Sequence, residues 1–262
     1  MNLVYEDNFL PLIYADLHIH SVLSLCADRK AVLPNIFYCL DNVGMEIFAI
    51  CERNTTRNVR FFYGYGMEYF PHILFLLGMK IATDDEIHIL EIFPYRENAG
   101  KANQLVGEAL VDSGKRPEFF KLQVILNSRE EEIGEESKAL YLSCGLNLEQ
   151  TINLLRQYGV IVITRHIDHR SFSVTSQSGF IFENLFDVLG ISSVPVRKVL
   201  NSGEYTVRDS IYKMPKDIPL ITSTDMYLLD KVEFVRTDLK ADSLYLEGLE
   251  SGLQGKIMME VN

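Results

Sequence analysis

The sequence predicts an α/β fold: a mostly parallel sheet covered by helices, open or closed into a barrel. Two patterns predict it. Short apolar runs of strand length alternate with stretches whose apolar residues recur at helical spacing. Polar, chemistry-bearing residues stand where those apolar runs end, which is where parallel α/β folds place their sites. A chain of 262 residues suits one large barrel or two smaller domains, and buries roughly three quarters of its unfolded surface without disulfide staples.

The first predicted strand follows an apolar lead-in, Leu10 to Tyr14, and runs into Ala15-Asp16-Leu17-His18-Ile19-His20-Ser21. Side chains two apart on a strand share a face, so His18 and His20 converge on one point. Asp16 is expected on that face, holding an imidazole N–H as carboxylates do behind metal-bound histidines. The alternative for an isolated H-x-H is a pair of hydrogen-bonded histidines at a strand end.

Ser21 to Val32 reads as a loop. Pro34 then opens a helix with an Ile36, Phe37, Leu40 and Val43 stripe, and Gly44 follows as its cap. Ile47 to Cys51 is a buried strand ending in Glu52-Arg53-Asn54-Thr55. Thr55 or Thr56 is expected to cap a helix through Val59, Phe62 and Tyr65 whose far end Gly64 and Gly66 weaken. Strands are expected over Ile73 to Leu77, continued or followed by Gly78 to Ala82, and over Glu86 to Phe93 with His88 inside.

The pattern loosens from Pro94 onward, with one helix at Ala102 to Val111 and a solvated charged run at Arg129 to Glu132. Residues 94–146 are therefore expected to be an insertion within a single domain spanning 1–262. Helices follow at Glu136 to Ser143 and from Asn147 to Tyr158, then a strand at Val160 to Thr164 bearing Arg165-His166-Ile167-Asp168 at its end. A strand near Gly190 to Ser192, helical stretches near Val196 and Val207, and a strand at Pro219 to Thr222 complete the order. Asp225-Met226-Tyr227 sits just past that last strand.

His18, His20, Glu52, Arg53, Lys80, His88, His166 and Asp225 all fall at or near strand ends, and that coincidence carries more weight than any one motif. Composition narrows the chemistry. Hydrophobic and charged contents of 47% and 23% are those of an ordinary globular protein. A net charge of −11 argues against extended nucleic-acid or anionic-membrane contact, although a small cationic pocket fits inside an acidic protein. Cys26, Cys39, Cys51 and Cys144 form no C-x-x-C pair and suit a reducing, cytoplasmic setting. The acidic, Pro-interrupted start does not read as a signal peptide, and no apolar run reaches membrane-spanning length.

Five stretches in order carry a family resemblance: D-L-H-I-H-S from Asp16, G-M-K-I-A-T-D-D-E-I-H-I-L from Gly78, H-I-D-H-R-S-F-S from His166, S-G-F-I from Ser178 and S-T-D-M-Y from Ser223. Together the chain resembles, from about Tyr14 to Val235, the PHP (polymerase and histidinol phosphatase) family of metal-dependent phosphoesterases, most closely its small stand-alone bacterial members. The resemblance implies a distorted (β/α)7 barrel with up to three metal ions at the strand C-terminal ends. It assigns His18, His20 and Asp225 to a first metal and His88 and His166 to a second.

It also exposes departures. Lys80 stands where a metal-bridging glutamate is expected, Arg53 where a third-metal histidine is expected, and Tyr227 where another is. Arginine and protonated lysine carry only donors and cannot ligate a cation. The centre is then expected to hold one divalent metal (zinc, manganese or iron) at His18, His20 and Asp225, or none. One reading is a binder of a phosphate or phosphorylated small molecule, held by Arg53, Lys80, His88, His166 and Tyr227 with hydrolysis weak or lost. Another is a one-metal phosphoesterase in which Lys80, Arg53 and Tyr227 assist catalysis. A third is a non-catalytic structural or regulatory partner. Arg165, His169 and Arg170 could extend that pocket, although each is rather expected as a solvated surface residue, and a dead site would pair Arg53 and Lys80 with Glu52 and Asp225.

Overall fold

The structure is a computed structural model describing residues 12–25, 27–110, 123–127, 129–192, 199, 202–216, 218–225, 237–240 and 259–260. Strands β1 (Leu12–Ile19), β2 (Ile47–Arg53), β3 (Leu74–Ala82), β4 (His88–Phe93), β7 (Ile161–Thr164), β8 (Val188–Ile191) and β11 (Leu220–Thr222) form the body of one sheet. Their spatial order is β11-β8-β7-β4-β3-β2-β1, extended past β1 by β12 (Thr237–Lys240) and β13 (Met259–Glu260). Neighbours pair in parallel except for β4, which runs antiparallel to both β3 and β7, and for β12 and β13, which pair antiparallel at the β1 edge. The reversal at β4 is the distortion of the barrel.

Period-two alternation separates two apolar layers. Ala15, Leu17, Ile47, Ala49, Cys51, Leu76, Leu90, Ile92, Ile163, Val188 and Ile221 make one cluster drawn from all seven body strands. Only a sheet curled onto itself brings seven strands' inner faces into one cluster. The alternate residues, among them Phe48, Ile50, Phe75, Leu77, Met79, Ile89, Phe93, Val162 and Leu189, face outward into a larger cluster with the helices. Its helical side comes from α1 (Leu33–Asn42), α2 (Val59–Tyr69), α3 (Arg96–Ala109) and α4 (Leu148–Arg156). Two-sided burial explains why these strands read as continuous apolar runs.

Gly78 lies on the inner face, where a Cβ would stand 2.3 Å from the Cys51 Sγ, so no larger residue fits there without movement. Gly66 does not end α2, which runs on to Tyr69. Its missing side chain lets the helix close on the Phe37 ring, whose nearest atom would be 2.7 Å from an added Cβ. Neither Thr55 nor Thr56 caps α2. The cap position is Asn58, and Thr55 instead donates to Asn103 on α3 at 2.9 Å. α4 starts as expected, with Asn147 and Gln150 exchanging side-chain bonds to each other's backbone.

Other expectations are corrected. Residues 136–143 form no helix: the chain runs as extended loop and turn, and Asn54 on β2's end binds the Leu140 and Leu142 carbonyls at 3.1 and 2.8 Å. A side-chain amide thus satisfies carbonyls that a helix would have used internally. Val207 ends a strand, β9 (Glu204–Val207), paired with β10 (Ser210–Lys213), because Tyr205 and Val207 alternate inward with exposed Glu204 and Thr206. The helix expected from Ala102 begins a turn and a half earlier, at Arg96. A hairpin of β5 (Val124–Leu126) and β6 (Glu132–Glu135) turns through the exposed charged run. α5 (Val174–Ser178) and a 3₁₀ turn (Glu183–Leu185) link β7 to β8. Val196 lies outside the described residues, and no described helix is long and apolar enough to cross a membrane.

Glu91 breaks the outward apolar alternation of β4. It is fully buried between Ile89 and Phe93, and neither carboxyl oxygen has a hydrogen-bond partner. Burial, opposed by Arg156, pushes its carboxyl well above the usual range near 4.5 and so favours its neutral form. A raised carboxyl favours folding fully below its unfolded value and progressively less as pH climbs toward its folded one. Wild type is therefore expected to lose about 1.4 kcal/mol per pH unit relative to Glu91→Met above about pH 4.5. Urea unfolding of both proteins at pH 5 and 8 checks this; an unchanged difference between the two would contradict it.

Candidate functional site

The inner-face alternation that fills the barrel with apolar side chains continues past the strand ends into polar ones. Cys51 is followed two residues on by Arg53, Gly78 by Lys80, Ile163 by Arg165, and Ile221 by Ser223 and Asp225. On antiparallel β4 the same face leads back from Ile92 and Leu90 to His88. One mouth of the barrel thus receives Arg53, Lys80, His88, Arg165 and Asp225.

β1 reaches that mouth by a different route. Ala15 and Leu17 belong to the inner cluster but Ile19 to the outer one, and the β1–β2 register shifts between Asp16 and Ile19. This irregularity turns His18 and His20 inward. Asp16 does not orient an imidazole. Its carboxylate accepts from the His18 amide at 3.1 Å and from Thr224 Oγ1 at 2.6 Å, tying the end of β11 to β1. Burial raises the Asp16 carboxyl to about 7, an effect the Thr224 hydroxyl partly offsets.

Asp225 stands at the centre. Its Oδ1 lies 2.8 Å from His18 Nε2, 3.3 Å from His20 Nε2 and 3.1 Å from Lys80 Nζ, while Oδ2 accepts from Arg165 at 2.7 Å. Lys80 Nζ is also 3.3 Å from His20 Nε2. Burial pushes the Asp225 carboxyl up, but His18, His20 and Lys80 outweigh it and hold the group far below the ordinary carboxylate range. Lys80 is lowered to about 8, by burial first and by Arg165 and Arg53, with Asp225 opposing. Asp225 has a left-handed backbone, φ 47°, as do Asn54 and Phe172 on the same rim.

Burial favours the neutral form of the His18, His88 and His166 imidazoles. Burial drives His18 well below its usual value, His88 to about 2 with help from Arg53, and His166 to about 4. His88 stacks in parallel on Phe172 with centroids 4.5 Å apart, and Arg53 donates to His88 Nε2 at 3.2 Å and to the Tyr141 carbonyl at 3.3 Å. His166 bonds Ser223 at 3.1 Å and His169 at 3.3 Å. Arg170 is exposed, as expected, and Tyr227 and Cys26 lie outside the described residues.

Arg165 is a correction: it is an inward, nearly buried partner of Asp225, not a surface residue. The signal was present, since Ile163 fills the barrel and Arg165 stands two residues on. Of the two pairings expected in a dead site, Lys80 does meet Asp225. Glu52 instead accepts from Ser21 and Ser24, on the strand face opposite Arg53. No periodic pattern or motif signals that serine–glutamate contact.

A cavity of about 330 Å³ opens over these groups, lined on its polar side by His20, Ser24, Glu52, Arg53, Lys80 and Arg165. His18, His20 and Asp225 offer two nitrogens and an oxygen within 4.8 Å of one another, a donor set that could hold a divalent ion. Both ring nitrogens of His18 are buried without a hydrogen bond, although Nε2 approaches Asp225 closely, as atoms aimed at a shared cation do. Two of the three donors are at the same time in contact with the Lys80 ammonium.

No family model and no curated protein matches the chain. Solved structures do. Endonuclease Q from Pyrococcus furiosus, a lesion-specific endonuclease, aligns at 12% identity and TM-score 0.66 over 96% of this chain and 58% of its own. Its complex with a 27-mer duplex bearing an abasic lesion aligns at 11% identity and TM-score 0.63, over the same shares. A putative metal-dependent phosphoesterase from Bifidobacterium adolescentis aligns at 14% identity and TM-score 0.54 over 92% of this chain and 96% of its own. An amidohydrolase from Chromobacterium violaceum, described with bound sulfate and no metal, aligns at 13% identity and TM-score 0.51 over 95% and 98%. The chain spans little more than half of the endonuclease Q length. At such identities the likeness establishes architecture: this chain folds as a PHP-type α/β barrel.

Proposed function

We propose that the protein binds a phosphate-bearing small molecule at the barrel mouth, with hydrolysis weak or lost. The observation that carries this reading is the position of Lys80 Nζ, in contact with His20 Nε2 and Asp225 Oδ1, two of the three donors a metal would need. A divalent ion 4 Å from that ammonium would be repelled by about 8 kcal/mol at an effective dielectric near 20.

Arg53 and Arg165 line the same cavity, so three cations face Asp225 and Glu52. Asp225 is shared by Lys80 and Arg165, and Glu52 accepts from serine hydroxyls. A phosphate dianion suits a pocket lined by these cations, and a guanidinium matches two of its oxygens at once. Neutral His88, fixed by its stack on Phe172, and His166 add hydrogen-bonding capacity. The neighbour described with sulfate and no metal supports a tetrahedral anion on this architecture. The bound duplex of endonuclease Q is not carried over, because a net charge of −11 disfavours extended contact with nucleic acid.

A second reading is a one-metal phosphoesterase, favoured by the convergence of His18, His20 and Asp225. A divalent ion held there supplies Lewis acidity and an activated water. Lys80 would then have to leave two of those donors, and it would join Arg53 in stabilising charge on the transferring group.

Two experiments divide the readings. Wild type purified with zinc, manganese and iron present is expected to be metal-free, to melt higher with millimolar phosphate, and to lose about tenfold in phosphate affinity in Arg53→Gln. Stoichiometric metal with rapid aryl-phosphate turnover would establish the second reading instead. Lys80→Glu is expected to take up metal by elemental analysis; if it stays as metal-free as wild type, the ammonium is not what keeps metal out.

A further inference from the structure

The cavity at the barrel mouth is built in two parts. Strand ends supply a charged floor that includes Arg53, Lys80 and Arg165. Loops supply an apolar wall: Leu23 and Leu25 from the segment after β1, Leu140 and Tyr141 from the 136–143 loop, and Phe172 from the segment between β7 and α5. Three of these wall residues are anchored to the floor through their main-chain carbonyls. Leu140 accepts from Asn54 at 3.1 Å, Tyr141 from Arg53 at 3.3 Å and Phe172 from the His88 amide at 2.9 Å. The wall is therefore in place before a ligand arrives.

A phosphate on the floor leaves most of the 330 Å³ unfilled, because it displaces roughly four waters, about 120 Å³. What remains is bounded by the leucines and the two aromatic rings. A polyol body would lay several hydroxyls against side chains that cannot answer them. Ser24, the one hydroxyl amino acid lining the cavity, already gives its proton to Glu52.

Gln123 is the polar exception in the wall, and it is 1% exposed. Its Nε2 donates to the Glu136 carbonyl at 3.2 Å and to the Lys138 carbonyl at 2.7 Å. Carbonyls only accept, so these two bonds fix which end of the amide is nitrogen. Oε1 diverges from that backbone and is left buried with no hydrogen-bond partner among the described residues. An orphaned acceptor in the wall of a binding cavity marks a place for a donor on the ligand.

We propose that the ligand is a phosphate ester of an apolar, ring-sized body carrying one hydroxyl or amino group, and that Gln123 selects it by accepting that donor at Oε1. The ring packs against Phe172, Tyr141 and the three leucines while the phosphate lies on the cations. Gln123 is thus a specificity-determining residue that takes no part in holding the phosphate.

This deepens the phosphate-binding reading and rests on it, but the two fail separately. Calorimetric titration of the wild-type full chain uses probes that cannot be hydrolysed: inorganic phosphate, benzylphosphonate, its 3- and 4-hydroxy derivatives, and 3,4-dihydroxybutylphosphonate as the polyol. Benzylphosphonate is expected to bind about thirtyfold tighter than inorganic phosphate and tighter than the polyol. At least one hydroxybenzyl derivative should gain about tenfold more in wild type and lose that gain in Gln123→Met. Leu25→Asn should lower the ratio of benzylphosphonate to phosphate affinity several-fold, and it provides the second variant if Gln123→Met does not fold. A polyol that binds as tightly as the benzyl compound overturns the proposal and leaves phosphate binding standing. So does a hydroxyl that adds nothing in wild type, or a gain that survives in folded Gln123→Met. Failure of every probe to bind overturns both.

Discussion

Lys80 and Arg165 share one buried carboxylate, Asp225, and the mouth of this barrel is organised around that shared group. Removing a charge from water costs several kcal/mol unless it is paired, so Lys80 and Arg165 require Asp225. Asp225 in turn follows β11, the strand at the end of the sheet, and its neighbour Thr224 is bound by Asp16 on the first strand. The charge cluster is therefore joined to the side-chain link between the end of β11 and β1.

The fold was largely legible because both strand faces are buried. Continuous apolar runs such as Ile47 to Cys51 mark parallel strands between two layers, and the polar residues after them mark the mouth. The expected convergence of His18 and His20 holds, but for a reason no spacing shows: a register irregularity turns them to the same side as Leu17, which simple alternation sets opposite. Asp16 was misread for the same reason. The stretch 136–143 was misread because Asn54, more than eighty residues away in sequence, binds its carbonyls.

The site was legible in type and less so in pairing. That Lys80 and Arg53 face the mouth of the barrel follows from their places at strand ends, and the pairing of Lys80 with Asp225 follows from the same placement. The serine pair around Glu52 and the stack of Phe172 on His88 are long-range contacts between loops, which carry no periodic signature. Arg165 shows the opposite failure. Its inward position follows from alternation along its own strand, against the general tendency of arginines to be solvated.

The functional account reduces to which cation sits beside Asp225. A lysine gives a tethered positive charge suited to holding an anion, and a divalent ion gives a reactive centre suited to cleaving one. The direct measurement is a crystal structure of wild type soaked with zinc and phosphate, with anomalous data collected at the zinc edge. The account predicts a tetrahedral anion within hydrogen-bonding distance of Arg53 and Lys80 and no anomalous peak among His18, His20 and Asp225. A strong peak at that point, with the Lys80 side chain turned away from Asp225, would contradict it.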